Sequence, residues 1–165
     1  MVNVITESGM DFIADNSFRI EKSPLYTDLG DGIRSVEFIR AKDDNVIFVE
    51  AKTTFPNPNN PSAENYVKFQ SEINEICEKF IHSLNLFSSV KVGVRDAQLP
   101  PDFSPPDKVT LVFVLVVKTH ELGWCRNIEA ALIKVLPSYL HRIWKPTVRV
   151  INHKAAIKFN LAVVG

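Results

Sequence analysis

Arg34-Ser-Val-Glu-Phe-Ile-Arg-Ala-Lys-Asp-Asp-Asn-Val-Ile-Phe-Val-Glu-Ala-Lys-Thr53 is the stretch that decides the fold. Arg34 to Lys42 and Val46 to Thr53 are rich in Val, Ile and Phe, residues that suit a pleated, half-buried surface. The polar bridge Lys42-Asp-Asp-Asn45 between them predicts a hairpin. Side chains alternate faces along a strand, so Val46, Phe48, Glu50 and Lys52 share one face and Ile47, Val49 and Ala51 the other. If Asp43 and Asp44 form a two-residue turn, Lys42 faces Asn45 and the same register sets Glu37 opposite Glu50. A four-residue loop about the same centre keeps that pairing, and a three-residue loop shifts it by one.

Two facing carboxylates are costly in a structural strand pair. With Cβ atoms about 5 Å apart, their repulsion is roughly 3 kcal/mol at an effective dielectric of 20, and under about 1 kcal/mol in bulk water. The neighbours Val36, Phe38, Ile39, Ile47, Phe48 and Val49 are apolar on both faces, which predicts a partly buried corner. Such repulsion needs relief by a proton or a cation. Magnesium is held by one or two carboxylates together with waters and phosphates. Lys52, on the face of Glu50, is placed to orient a nucleophilic water or neutralise charge on a phosphate.

Working outward, Ser17 to Lys22 alternates weakly and is a candidate first strand, with a possible helix near Gly9 to Asn16. Downstream, Phe55-Pro-Asn-Pro-Asn-Asn-Pro-Ser62 forbids a continuous ladder and predicts a loop. Glu64 to Leu84 takes a helical period, with Tyr66, Phe69, Ile73, Ile76, Cys77, Phe80 and Leu84 at steps of three and four and Ser62 as N-cap. Glu64, Lys68, Glu72, Glu75 and Lys79 lie mostly off that stripe. Asp96 to Asp107, with four prolines, is a second loop. Lys108 to Lys118 is near-continuously apolar, as in a strand covered on both faces. Trp124 to Trp144 is helical with a break expected at Pro137; Thr147 to Ile151 is a short strand; Asn152 can cap a last helix. The expectation is an α/β (α+β-like) fold, a central mixed β-sheet flanked by helices, in a single domain spanning 1–165.

Acidic residue, strand, turn, strand, Glu50-Ala-Lys52, helix, strand: this order resembles the PD-(D/E)xK nuclease superfamily, with its restriction-endonuclease-like fold. The resemblance covers roughly Ser17 to Thr119 and rests on Glu50-Ala-Lys52 for the (D/E)xK half and Glu37 for the upstream acid. The family's upstream acid is usually Asp, often after Pro; here Glu37 follows Val36, and Asp28 or Asp31 is the alternative. The resemblance implies Mg²⁺- or Mn²⁺-dependent hydrolysis of phosphodiester bonds in DNA or RNA. Glu37 and Glu50 would be metal ligands, Lys52 would assist the water, and Glu21 would be an optional outer acid. The superfamily also holds non-cleaving members, so a binding module recruited to a larger assembly, with a protein partner, is the alternative. A small-molecule-binding domain is a third reading, which gains if the main pocket is apolar and remote from Glu50.

Composition narrows the classes. Lys plus Arg and Asp plus Glu are both 19, so the net charge is zero and a basic nucleic-acid coat protein is excluded. Lys118, Arg142, Lys145, Arg149, Lys154 and Lys158 nonetheless make the C-terminal half locally basic; ordinary solvated charge is the simpler account, a phosphate-binding face the other. His82 is expected on a helix surface, His120 in a loop after the buried strand, and His153 near a cap. Cys77 and Cys125 are far apart and no Cys/His spacing suits zinc, which favours a reducing, cytoplasmic setting. No secretory pattern opens the chain, and the longest apolar run, Leu111 to Val117, is far short of the about 20 residues that span a bilayer, so a soluble protein with no membrane partner is expected.

Overall fold

In the computed structural model, which describes residues 1–96 and 99–165, a five-stranded sheet and a three-stranded sheet are combined with helices in an α/β arrangement. The larger sheet runs β3 (Ser17–Phe18), β4 (Phe38–Lys42), β5 (Asn45–Lys52), β6 (Thr110–Val117) and β7 (Thr147–Ile151), in that spatial order. The first three strands are antiparallel, and β5, β6 and β7 are parallel. Antiparallel neighbours can be joined by a short turn, whereas parallel ones need a crossover. Helix α2 (Ala63–Lys91) lies between β5 and β6 in the chain, and α3 (Leu122–Val135) and α4 (Ser138–Ile143) lie between β6 and β7.

The β4–β5 hairpin closes on Asp43-Asp44, with Lys42 opposite Asn45, Arg40 opposite Ile47 and Phe38 opposite Val49. Asp43 takes a left-handed φ of +53°, which aspartate tolerates better than most residues and a tight hairpin turn uses. Alternation then splits β5: Val46 and Phe48 join the core beneath α2 and α3, while Val49 and Ala51 join a second core on the other face. Strand β6 is buried on both faces, with Phe113, Leu115 and Val117 in the first core and Val114 and Val116 in the second. Phe80 of α2 stacks on Phe113 with ring centroids 4.8 Å apart.

The helix ends form where the side chains predict. Ser62 Oγ accepts from Asn65 N–H and caps α2; Asn152 Oδ1 accepts from Ala155 N–H and caps α5 (His153–Lys158). Pro137 separates α3 from α4 and sits at the N-cap of the latter. Among the apolar residues assigned to the α2 stripe, Tyr66 is exposed, because it lies in the first turn before the helix reaches the core.

Two expectations are corrected at the N-terminus. Gly9 to Asn16 is not helical: β1 (Val4–Glu7) and β2 (Met10–Ile13) form a hairpin about Ser8-Gly9, both with positive φ (51° and 71°), and β8 (Ala162–Val163) adds a third strand. Met10 and Phe12 point inward, so the period is two rather than 3.6. The strand expected over Ser17 to Lys22 ends at Phe18; Ile20–Lys22 is a 3₁₀ turn, followed by the single-turn α1 (Pro24–Thr27). The small sheet and α5 cover part of the second face, through Ile5, Phe12, Ala155 and Ala156. The loop expected over Asp96 to Asp107 includes residues 97 and 98, which lie outside the described residues; 99–109 holds no regular element.

Candidate functional site

Glu37 stands where several elements converge. The segment before it is held by α2: His82 Nδ1 accepts from Arg34 N–H at 3.0 Å, and Ser83 Oγ accepts from Val36 N–H at 2.9 Å. His82 is therefore an anchor for the strand entry rather than a plain surface residue. The β4–β5 ladder follows the predicted register for five pairs and stops one residue short of a Glu37–Glu50 pair. There Glu37 N–H donates to Val49 O at 3.0 Å, an offset that ends the ladder and turns the strand.

Around Glu37 the structure gathers Glu21, from the 3₁₀ turn, and Glu7, from the end of β1; the three place one carboxylate oxygen each within 4.8 Å of one another. Burial, a hydrogen bond with the Glu21 carboxyl, and the charges of Glu50, Glu21 and Glu7 push the Glu37 carboxyl up to about 9. It holds a proton at neutral pH, which is one form of the relief that clustered acids require. Glu7 also pairs with Arg19.

Glu50 is buried, with 1% of its surface exposed. Its Oε1 accepts from Lys79 Nζ at 2.6 Å, and its Oε2 has no partner. Burial pushes its carboxyl up to about 7 even though Lys79 and Lys52 pull it down. Burial alone would depress Lys79; the carboxylates of Glu50, Glu37 and Glu75 outweigh it and hold the ammonium above its usual range. Lys52, two residues along β5, reaches Glu72 Oε2 at 3.5 Å and Glu75 Oε1 at 3.8 Å, both on α2. Glu75 also receives Arg34 at 3.6 Å and Lys79 at 4.0 Å. The acids and lysines thus form one network between the strand ends and a single face of α2.

Of the expected site residues, Glu37 and Glu21 are brought together, Glu50 lies near them but is paired with Lys79, and Lys52 is turned to the α2 acids. Asp28 and Asp31 are both exposed in the loop after α1, outside the cluster. Glu7 and Lys79 complete the site and were missing from the sequence assignment. The Thr-Glu-Ser-Gly turn signal at the end of β1 could have located Glu7; Lys79 is signalled only by its position one residue before Phe80 on the helix.

Glu7, Glu21 and Glu37 are an all-carboxylate set of the kind a hard, oxygen-seeking cation takes; Glu50, whose buried Oε2 lacks any partner, lies outside that close set. Elsewhere, His120 is nearly buried, edge-on to the Trp124 ring at 5.1 Å, with burial lowering its pKa. Among the described residues no helix is long and apolar enough to cross a membrane. Comparison with family models, with curated proteins and with solved structures finds no match to this chain.

Proposed function

We propose that this chain is a divalent-cation-dependent nuclease of restriction-endonuclease-like architecture that hydrolyses phosphodiester bonds in DNA or RNA. The observation that carries the reading is the convergence of Glu37 and Glu21 beside buried Glu50, with two lysines on the same network. Glu37, Glu50 and Glu21, with Glu7 as a further donor, would hold Mg²⁺ or Mn²⁺. Such an ion supplies an activated water at neutral pH and stabilises charge on a phosphoryl oxygen. Glu37 has to shed its proton to serve as a ligand, and Glu50 has to let go of Lys79. Lys79 and Lys52 then face the substrate as ammonium groups, able to hold phosphate oxygens and to offset the charge that grows on them. A cytoplasmic setting belongs to this reading, because Cys77 and Cys125 are both buried free thiols.

The test is cleavage of single- and double-stranded DNA and RNA with Mg²⁺ or Mn²⁺, by the wild type and by Lys52→Ala. Cation-dependent cleavage that Lys52→Ala abolishes supports the reading. Equal cleavage by both proteins, or none with any divalent ion, removes it. One observation favours a second reading, a non-cleaving binding module on the same scaffold: the Lys79 ammonium already sits 2.6 Å from Glu50, where a cation's charge would act. That reading expects no thermal shift with Mg²⁺ or Mn²⁺ and co-purification of a protein partner.

A further inference from the structure

The face of the large sheet opposite α2 is only half covered. Its register sets Arg40, Ile47, Val112 and Thr147 in one row across β4 to β7, with Val114 and Arg149 in the next pair and Lys42 and Asn45 on the other side. Over these rows lies a cavity of about 380 Å³, closed along one edge by Phe159, Asn160 and Leu161 after α5. That volume is within the range of small-ligand sites. Its floor is apolar, from Ile47, Val112 and Val114, and its flanks are mainly cationic: Arg40 and Lys42 on one side, with Asp43 as the single acid beside them, and Arg149 on the other. None of these three cations lies within ion-pair distance of a carboxylate among the described residues, although the chain has as many acids as bases.

Arg40 is the informative member. Only 7% of its surface is exposed. One of its nitrogens donates to Asn160 O at 2.7 Å, and its Nε is buried without any partner. Lys42 Nζ lies 3.5 Å from Phe159 O, leaving most of its donor capacity free. A buried guanidinium with an unused donor is expensive unless something accepts from it. Guanidinium forks match phosphate oxygens and also stack on flat rings. The opposite flank continues into a neighbouring cavity that shares Arg149, Ile151 and Phe159 and adds Arg126 and Lys158 together with Glu129.

We propose that this half-open face binds a nucleotide-sized organic phosphate, with the phosphate at Arg40 and Lys42, the flat body on Ile47, Val112 and Val114, and Arg149 closing over that body. The site is separate from the acidic residues: Glu50 and Lys52 reach α2 on the opposite face of the sheet, and Glu7, Glu21 and Glu37 gather about the end of β1 and the entry to β4.

The probes are AMP, adenosine, inorganic phosphate and decanoate, titrated by calorimetry against the full chain. AMP is expected to bind more tightly than any of the other three. Arg149→Ala, an exposed position, is expected to weaken AMP by about tenfold or more and to leave inorganic phosphate unchanged. Lys42→Ala is expected to weaken both. Arg40→Lys, which keeps the charge and loses the fork, is expected to do the same, and Lys42→Ala keeps the test decisive should the buried Arg40 variant fold poorly. Glu50→Gln is expected to leave AMP binding unchanged. The proposal is overturned by no AMP binding at about 10 mM. It is equally overturned by adenosine or decanoate binding as tightly as AMP, by AMP affinity indifferent to Arg149→Ala and Lys42→Ala, or by loss of binding in Glu50→Gln.

Discussion

Replacing Lys79 by Met removes one charge and little volume, and the structure dictates how the cost depends on pH. The wild-type Glu50 carboxyl is pushed up to about 7 in the fold, against a usual 4.5. An acid whose folded pKa is raised contributes stability that is fully present below its unfolded pKa and is lost as pH rises through the folded value. For Glu50 that window runs from about 4.5 to about 7, and the loss across it is on the order of 3 kcal/mol at 1.36 kcal/mol per unit. Lys79 limits this loss, because after burial its charge and its hydrogen bond are the largest influences on Glu50, both downward. In Lys79→Met the carboxyl rises further and stays protonated to higher pH.

At pH 5 Glu50 is therefore largely protonated in both proteins, and they should differ little in stability. Above pH 7 the wild-type carboxylate is ionised at no further cost, whereas the variant goes on losing about 1.4 kcal/mol per pH unit until its new pKa is reached. The difference should be about 1.4 kcal/mol at pH 8 and about twice that at pH 9, where it approaches the roughly 3–5 kcal/mol of an uncompensated buried charge. Glu37 also faces Lys79 and titrates near 9, so its ionisation widens the gap in the same direction at pH 9 and disturbs the comparison less at pH 8. Urea denaturation of both proteins at pH 5, 7, 8 and 9 measures it, with the slope against urea checked for constancy. A gap that is the same at every pH, or a variant more stable than wild type at pH 9, would refute the claim that Lys79 compensates a buried carboxylate.

Three other changes test separate parts of the structure. Glu37→Gln copies the protonated form, so it should match the wild type near pH 4 and remove the decline expected between about 4.5 and about 9, which leaves it the more stable protein at pH 7; if Glu37 is a ligand, Mg²⁺- or Mn²⁺-dependent cleavage falls by about 100-fold or more, read by denaturation and nuclease assay together. Ser83→Ala leaves the Val36 N–H without its acceptor in the core and should cost about 1–3 kcal/mol by urea denaturation. Gly9→Ala forces a side chain into φ +71° and pushes the nearby Lys118 ammonium aside, so it should cost about 1–2 kcal/mol, and Gly9→Asn less.

Legibility in the sequence followed the range of the interaction. The β4–β5 register was readable because turn and alternation are local and agree, and α2 because its stripe is long and opens with a Ser62 cap. Pro137 and Asn152 marked helix ends for equally local reasons. The β1–β2 hairpin was missed because four-residue strands carry only two inward residues each, too few to separate a period of two from one of 3.6. Glu7 was lost with it. Lys79 was unreadable for another reason: helix position fixes where its Cα lies, but its four-carbon stem brings the ammonium to a strand end beyond the apolar stripe. The partner that takes up Glu50's charge is set by tertiary packing, which no single element encodes.

The alternation that aims Glu50 and Lys52 at α2 also aims Arg40 at the other side of the sheet, so one hairpin feeds both charged regions. A packed layer lies about 10 Å from the sheet it covers, so layers on opposite faces are about 20 Å apart. A phosphate held by Arg40 and Lys42 therefore cannot also be the one presented to Glu50. If the acidic cluster cleaves a nucleic acid, the cations that hold the scissile phosphate must come from its own side, and Lys52 and Lys79 are the ones the network offers there. Both are engaged with glutamates before substrate arrives. Binding then exchanges one set of ion pairs for another instead of adding new ones, so ground-state affinity at this site should be modest, and the lysines' free energy is spent where negative charge grows on the phosphate.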